Sequence, residues 1–141
     1  MKNYFSLISK ALTALFLVAG MAACSDMDSD PWVSPSKVRV LIGNEGQFMA
    51  STASLSAINY GDTMINNVFR NVNGRPLGDV AKAVIEVGNY LVISVGNSQK
   101  LEVVSKSDFR SVETVRMPAF VDPSYMCYLG GDSMAVSKGY A

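Results

Sequence analysis

Gly88-Asn89-Tyr90-Leu91-Val92-Ile93-Ser94-Val95-Gly96 and Gly131-Asp132-Ser133-Met134-Ala135-Val136-Ser137-Lys138-Gly139 decide the fold. Each opens on a tight-turn pair, runs through a short strand and closes on glycine, with Ser94 matched to Ser137 and Gly96 to Gly139, 43 residues apart. An earlier copy precedes them: Val38 to Asn44 parallels Leu91 to Asn97, and Leu55 to Ile58 parallels Leu101 to Val104. In that copy the spacing is 53 residues, and the surplus falls mainly in Glu45 to Thr52. A repeat of roughly 40 to 45 residues holding four short strands suits a β-propeller blade. A sandwich also uses short strands, but nothing in it demands the same turn chemistry at a fixed interval.

On either side of these copies the chain continues as β-branched or alternating runs bounded by turn residues. They are Val38 to Ile42, Ser54 to Asn59, Met64 to Phe69, Val80 to Val87 and Tyr90 to Val95, then Lys100 to Val104, Ser111 to Val115, Tyr125 to Leu129 and Ser133 to Ser137. No window of ten residues has a helical period. The expectation is an all-β chain of propeller blades, each of four antiparallel strands, over residues 37 to 141. It comprises the tail of one blade, a complete blade from Val80 to Val115, and two inner strands of another. Closed propellers hold four to eight blades, so about two blades leave the ring incomplete. The sequence therefore reads as part of a longer propeller, with uncovered faces and strand edges open to association.

The first 23 residues read differently. Lys2 and Lys10 give a positive start, and Ala11 to Ala23 form an apolar run of thirteen, short of the roughly 20 residues that cross a hydrocarbon core. A signal peptide fits that pattern. Met21-Ala22-Ala23-Cys24 resembles the lipobox of bacterial lipoproteins, with Met where Leu is usual. That resemblance implies lipidation of Cys24, and two or more acyl chains give stable membrane attachment. An ordinary secretory signal cut after Ala23 would leave a free thiol instead. Residues 24 to 36 then form an acidic tether through Asp26, Asp28 and Asp30. It resembles the surface-export signal of bacteroidete lipoproteins and reads equally as a plain spacer. It is no EF-hand loop, since Pro31 and Lys37 stand where Gly and Glu are required.

Composition narrows the function classes. The 141 residues are 49% hydrophobic and 17% charged, as in a globular domain. Without Lys2 and Lys10, ten basic residues face twelve acidic ones, and no Lys/Arg cluster offers a path for nucleic acid. The chain has no His, which excludes His-dependent nucleophile triads and His-ligated zinc or iron. No motif marks a catalytic carboxylate pair or a metal site, so a non-enzymatic role without a cofactor is expected. With Cys24 lipidated, Cys127 has no partner in the chain and is expected as a small buried hydrophobe.

Leu41 to Phe48 (LIGNEGQF), Ala53 to Ser56 (ASLS), Asn67 to Phe69 (NVF) and Asn73 to Val80 (NGRPLGDV) resemble the N-terminal part of YncE-like, YVTN-type propeller lipoproteins of bacteroidetes. The resemblance spans essentially the whole chain. It implies a ring of generally seven blades on the outer membrane, exposed at the cell surface. Some relatives bind cobalamin over TonB-dependent transporters, and others have no assigned ligand.

In a four-stranded blade the loop between the second and third strands shares one end of the ring with the crossing to the next blade. That end should carry Asn44, Glu45, Gln47 and Phe48 from the first blade and Asn73, Arg75 and Asp79 from the crossing. Asn97 and Gln99 follow from the next blade, and Asp122 and Tyr125 from the last. Amides, one Arg, carboxylates and two aromatics suit a polar organic ligand or a protein partner. Scaffolding explains many of them equally well, with Arg75 paired to Asp79 or Glu45. Three roles follow as expectations: a nutrient- or cofactor-binding propeller, a structural or protein-interaction module, or an enzyme whose acidic residues lie in further blades.

Overall fold

The computed structural model describes residues 37–140; the signal peptide, Cys24 and the acidic tether expected from the sequence lie outside them. The chain is all-β. Strands β1 (Val38–Asn44), β2 (Ser54–Asn59) and β3 (Met64–Ile65) form a first antiparallel sheet, followed by a short helix, α1 (Val68–Asn73). Strands β4 (Ala81–Val87), β5 (Tyr90–Val95), β6 (Lys100–Ser105) and β7 (Ser111–Arg116) form a complete four-stranded blade in that order. Strands β8 (Val121–Gly130) and β9 (Ser133–Tyr140) pair as a third, two-stranded sheet. The repeat read from the sequence is thus realised as successive antiparallel blades of an open array.

The central blade is buried on both faces, which is why β5 reads as the continuous run Leu-Val-Ile-Ser-Val. Leu91, Ile93 and Val95 join Leu55, Ala57, Ile65 and Phe69 of the first unit in one core. On the opposite face Val92 and Ser94 are buried, and the Ser94 hydroxyl donates to the Ser124 carbonyl of β8 at 2.6 Å. Alternation along a strand does this, sending neighbouring side chains to opposite sides. In β6 it directs Glu102 and Val104 toward the first sheet, because they pair across from Ile93 and Leu91.

Two expectations are corrected. Met64 to Phe69 is not one strand: only Met64–Ile65 pairs with β2, and Val68–Asn73 is helical. Val68, Phe69 and Val72 sit at helical spacing, and all three pack into the core. Gly74 ends the helix in left-handed conformation, its N–H donating to the Arg70 carbonyl at 2.8 Å. Cys127 is exposed, not buried. It pairs across from Ala135 on the outer face of the third sheet, and no further sheet covers that face among the described residues.

Candidate functional site

The site is built around Asp79, on the crossing that enters β4. Its carboxylate accepts the backbone N–H groups of Met49 at 2.8 Å, Ala50 at 3.1 Å and Ser51 at 3.2 Å. The Asn97 amide donates to it as well, and its own N–H donates to Ser98 Oγ at 2.9 Å. The amide of Asn97 holds the Asp79 carboxyl below its ordinary value, against the opposing pull of burial and with help from the three backbone donors. One buried carboxylate therefore ties the β1–β2 loop to the β5–β6 turn.

That loop needs such a tie. Gly46, Met49 and Ser51 all have positive φ, at 81°, 61° and 52°, a region that costs non-glycine residues energy unless surroundings impose it. The Gln47 N–H donates to Thr52 Oγ1 and its carbonyl accepts from Ala50 N–H. Phe48 and Met49 are thereby held outward, 65% and 79% exposed. Gly78 lets the crossing pass close beneath: a Cβ there would lie 2.6 Å from Val95 Cγ1, and its φ is 145°.

Most of the other candidates gather at the same end. Asn44 donates to Ser54 and Ser56 at the base of the loop. The Glu45 carbonyl accepts from Ala81 N–H, and its carboxylate pairs with Lys82 at 3.0 Å. The Gln99 carbonyl accepts from Met117 N–H at 2.8 Å, joining the connection that carries Phe120, 81% exposed with φ 63°. Asp122 lies beside Gly96, and its buried Oδ1 has no hydrogen-bond partner among the described residues.

Three candidates lie elsewhere. Asn73 donates to the Phe69 and Phe109 carbonyls and accepts from Ser111 N–H, which fixes it at the opposite end, beside the β6–β7 turn. Tyr125 stands on the outer face of the third sheet, 75% exposed, with its N–H on Ser137 Oγ. Arg75 pairs with neither Asp79 nor Glu45. It reaches between the first two units to Glu102, at 2.6 and 3.3 Å, with its guanidinium 5.0 Å from the centre of the Phe69 ring.

Glu102 was not singled out from the sequence, yet it is the most heavily bonded side chain described here. Besides Arg75 it accepts from Lys100 Nζ at 2.7 Å, Ser111 Oγ at 2.5 Å and Thr114 Oγ1 at 3.1 Å. Burial raises its carboxyl's pKa, but the bonds from Arg75, Lys100 and Ser111 and the charge of Lys100 outweigh that and hold it below its ordinary value. The signal for it was an acid at the centre of an apolar strand, where an unpaired charge would be prohibitive.

The clefts are small. One of about 130 Å³ is lined by Asn67, Phe69, Pro76 and Leu77 among others, and a second of about 130 Å³ lies between Leu41, Leu91 and Phe109. A third of about 250 Å³ opens where Leu41 and Gly43 meet Ala81 to Val84. None of the three is lined by a sequence candidate, and each falls below the roughly 300 Å³ of a typical small-molecule site. Among the described residues no group of three or more Cys, Asp or Glu converges to hold a metal ion, and no helix is long and apolar enough to cross a membrane. No protein-family profile matches the chain, and no curated protein matches it.

Proposed function

We propose that the chain is a membrane-anchored surface lipoprotein, held through Cys24, whose blades present a non-enzymatic binding rim. The observation that carries the reading is the Asp79 tie, which fixes a strained loop so that Phe48 and Met49 stand in solvent. Exposed aromatic and Met side chains on a preorganised backbone bind with little ordering cost. Gln47 and Glu45 of the same loop supply polar groups beside them. The ligand implied by resemblance is a nutrient or cofactor such as cobalamin, passed to a TonB-dependent transporter.

A protein-interaction module without a small ligand is the second reading, favoured by the small volume of the clefts. Equilibrium dialysis of the full chain in detergent against cyanocobalamin separates the two. Retention that falls in Phe48→Ala and Asp79→Asn supports ligand capture at the rim. Absence of retention removes the small ligand and leaves the interaction module. The anchor is tested separately: Cys24→Ala should lose metabolic palmitate labelling and leave the membrane fraction, and continued labelling would overturn the lipoprotein reading.

A further inference from the structure

We infer that Asn73 is a chemical modification site that the fold holds shut. Its side-chain amide is lost, by spontaneous cyclisation onto the Gly74 nitrogen, in molecules whose helix α1 has come away from the β6–β7 turn. The loss then weakens the return of α1 to its place. Asn73-Gly74 is the one Asn-Gly pair in the chain. Because glycine carries no side chain, its nitrogen is uncrowded and its backbone turns freely, so in an open chain this is the asparagine most ready to react.

In that reaction the Gly74 main-chain nitrogen gives up its proton and attacks Asn73 Cγ. A C–N bond forms, and the side-chain nitrogen leaves as ammonia. Water opens the resulting five-membered imide at one carbonyl or the other, leaving aspartate or isoaspartate. Water is the only co-reactant, and nothing is oxidised or reduced. Two conditions must hold: the Gly74 N–H must be free, and the Asn73 side chain must be able to swing onto it.

The fold withholds both. The Gly74 N–H donates to the Arg70 carbonyl at 2.8 Å, closing the last turn of α1. Asn73 Nδ2 donates to the Phe69 carbonyl at 2.8 Å and to the Phe109 carbonyl at 3.0 Å. Asn73 Oδ1 accepts from the Ser111 N–H at 2.8 Å. Phe109 and Ser111 lie 36 and 38 residues further along the chain, so the lock is made by docking. A six-residue helix does not hold alone in water.

The product fits the site poorly. Aspartate has no amide hydrogens, so an oxygen would face the Phe69 and Phe109 carbonyl oxygens, and both would lose this donor. Isoaspartate adds a methylene to the main chain two residues before Arg75, whose guanidinium must reach Glu102. A change at Asn73 therefore carries into the ion cluster that joins the first two units.

The test compares the full chain in detergent with a peptide from Arg70 to Leu77, each kept in mildly alkaline buffer with and without denaturing urea. Peptide mapping by mass spectrometry reads the deamidation of Asn73, and methylation by isoaspartyl methyltransferase reads the isoaspartate. The folded chain is expected to react at least about tenfold more slowly than the peptide, since reaction waits on local opening. In urea the two should react alike. An Asn73→Asp chain made directly is expected to melt below the wild type. A folded chain that deamidates at the peptide's rate, or an Asn73→Asp chain as stable as the wild type, would overturn the inference.

Discussion

Glu102→Gln removes the charge on which the first two units of the fold converge while keeping the shape of the side chain. Breaking a buried ion pair from one side costs about 3–5 kcal/mol, because the partner charge stays behind. Lys100, 11% exposed, is the partner that suffers. Arg75, 40% exposed, turns to water, and its share is screened. The expected loss is therefore near the low end, about 3 kcal/mol, or a fall in Tm on the order of 10–20 °C for a domain this size. Urea and thermal melts at fixed protein concentration read it. Lys100→Met in the same chain should recover at least half of the loss, since removing both charges is close to neutral. The pH dependence follows from the lowered carboxyl of Glu102. Its stabilisation is fully present above its ordinary value of 4.5 and fades as pH falls through the lower folded value. Glu102→Gln should flatten that acid limb. A Glu102→Gln protein within about 0.5 kcal/mol of wild type, or a double variant no better than the single, would refute this account.

Asp79→Asn should leave the central blade intact but speed amide exchange at Met49, Ala50 and Ser51, read by hydrogen exchange with mass spectrometry; unchanged protection would remove Asp79 as the tie. Acidification below the ordinary carboxylate range should loosen the same amides in the wild type, because the folded Asp79 carboxyl is lowered and its bonds persist until the pH falls through that value. Phe69→Ala empties the largest fully buried side chain and should cost about 3–5 kcal/mol in urea denaturation. The exposed Cys127 thiol should react with maleimide in the folded protein about as fast as in urea, and a much slower folded-state reaction would overturn its exposure.

The strand order of the central blade was legible because β5 and β9 share turn residues and because alternation in β4 to β7 is bounded by glycine, asparagine and aspartate. The helix at Val68–Asn73 was not, since six residues fall below the window in which a helical period stands out. Its apolar spacing and Gly74 were nonetheless present. At the site, the pattern located Glu45, Asp79, Asn97 and Gln99 at one end through blade geometry alone. Asn73 and Arg75 lie elsewhere than expected because Asn73 closes the helix that the sequence reading does not foresee and Arg75 follows directly after it, and local sequence does not say where their side chains turn. Glu102 is not legible because a carboxylate inside a strand acquires meaning only from what folding brings to it: Arg75 from the crossing and the hydroxyls of Ser111 and Thr114 from β7, beside Lys100 of its own strand.

The ties that finish the first sheet also set a timetable. Arg75 waits for Glu102, 27 residues further on, and the amides of Met49, Ala50 and Ser51 wait 28 to 30 residues for Asp79. At roughly 5–20 residues per second, the ribosome leaves the apolar side of the first sheet without its cover for about 1 to 6 seconds after α1 has been made. During that interval Leu55 and Phe69 are surfaces for a chaperone to hold. The loop that displays Phe48 and Met49 is synthesised before Asp79 and Asn97, and it takes its shape only once they arrive.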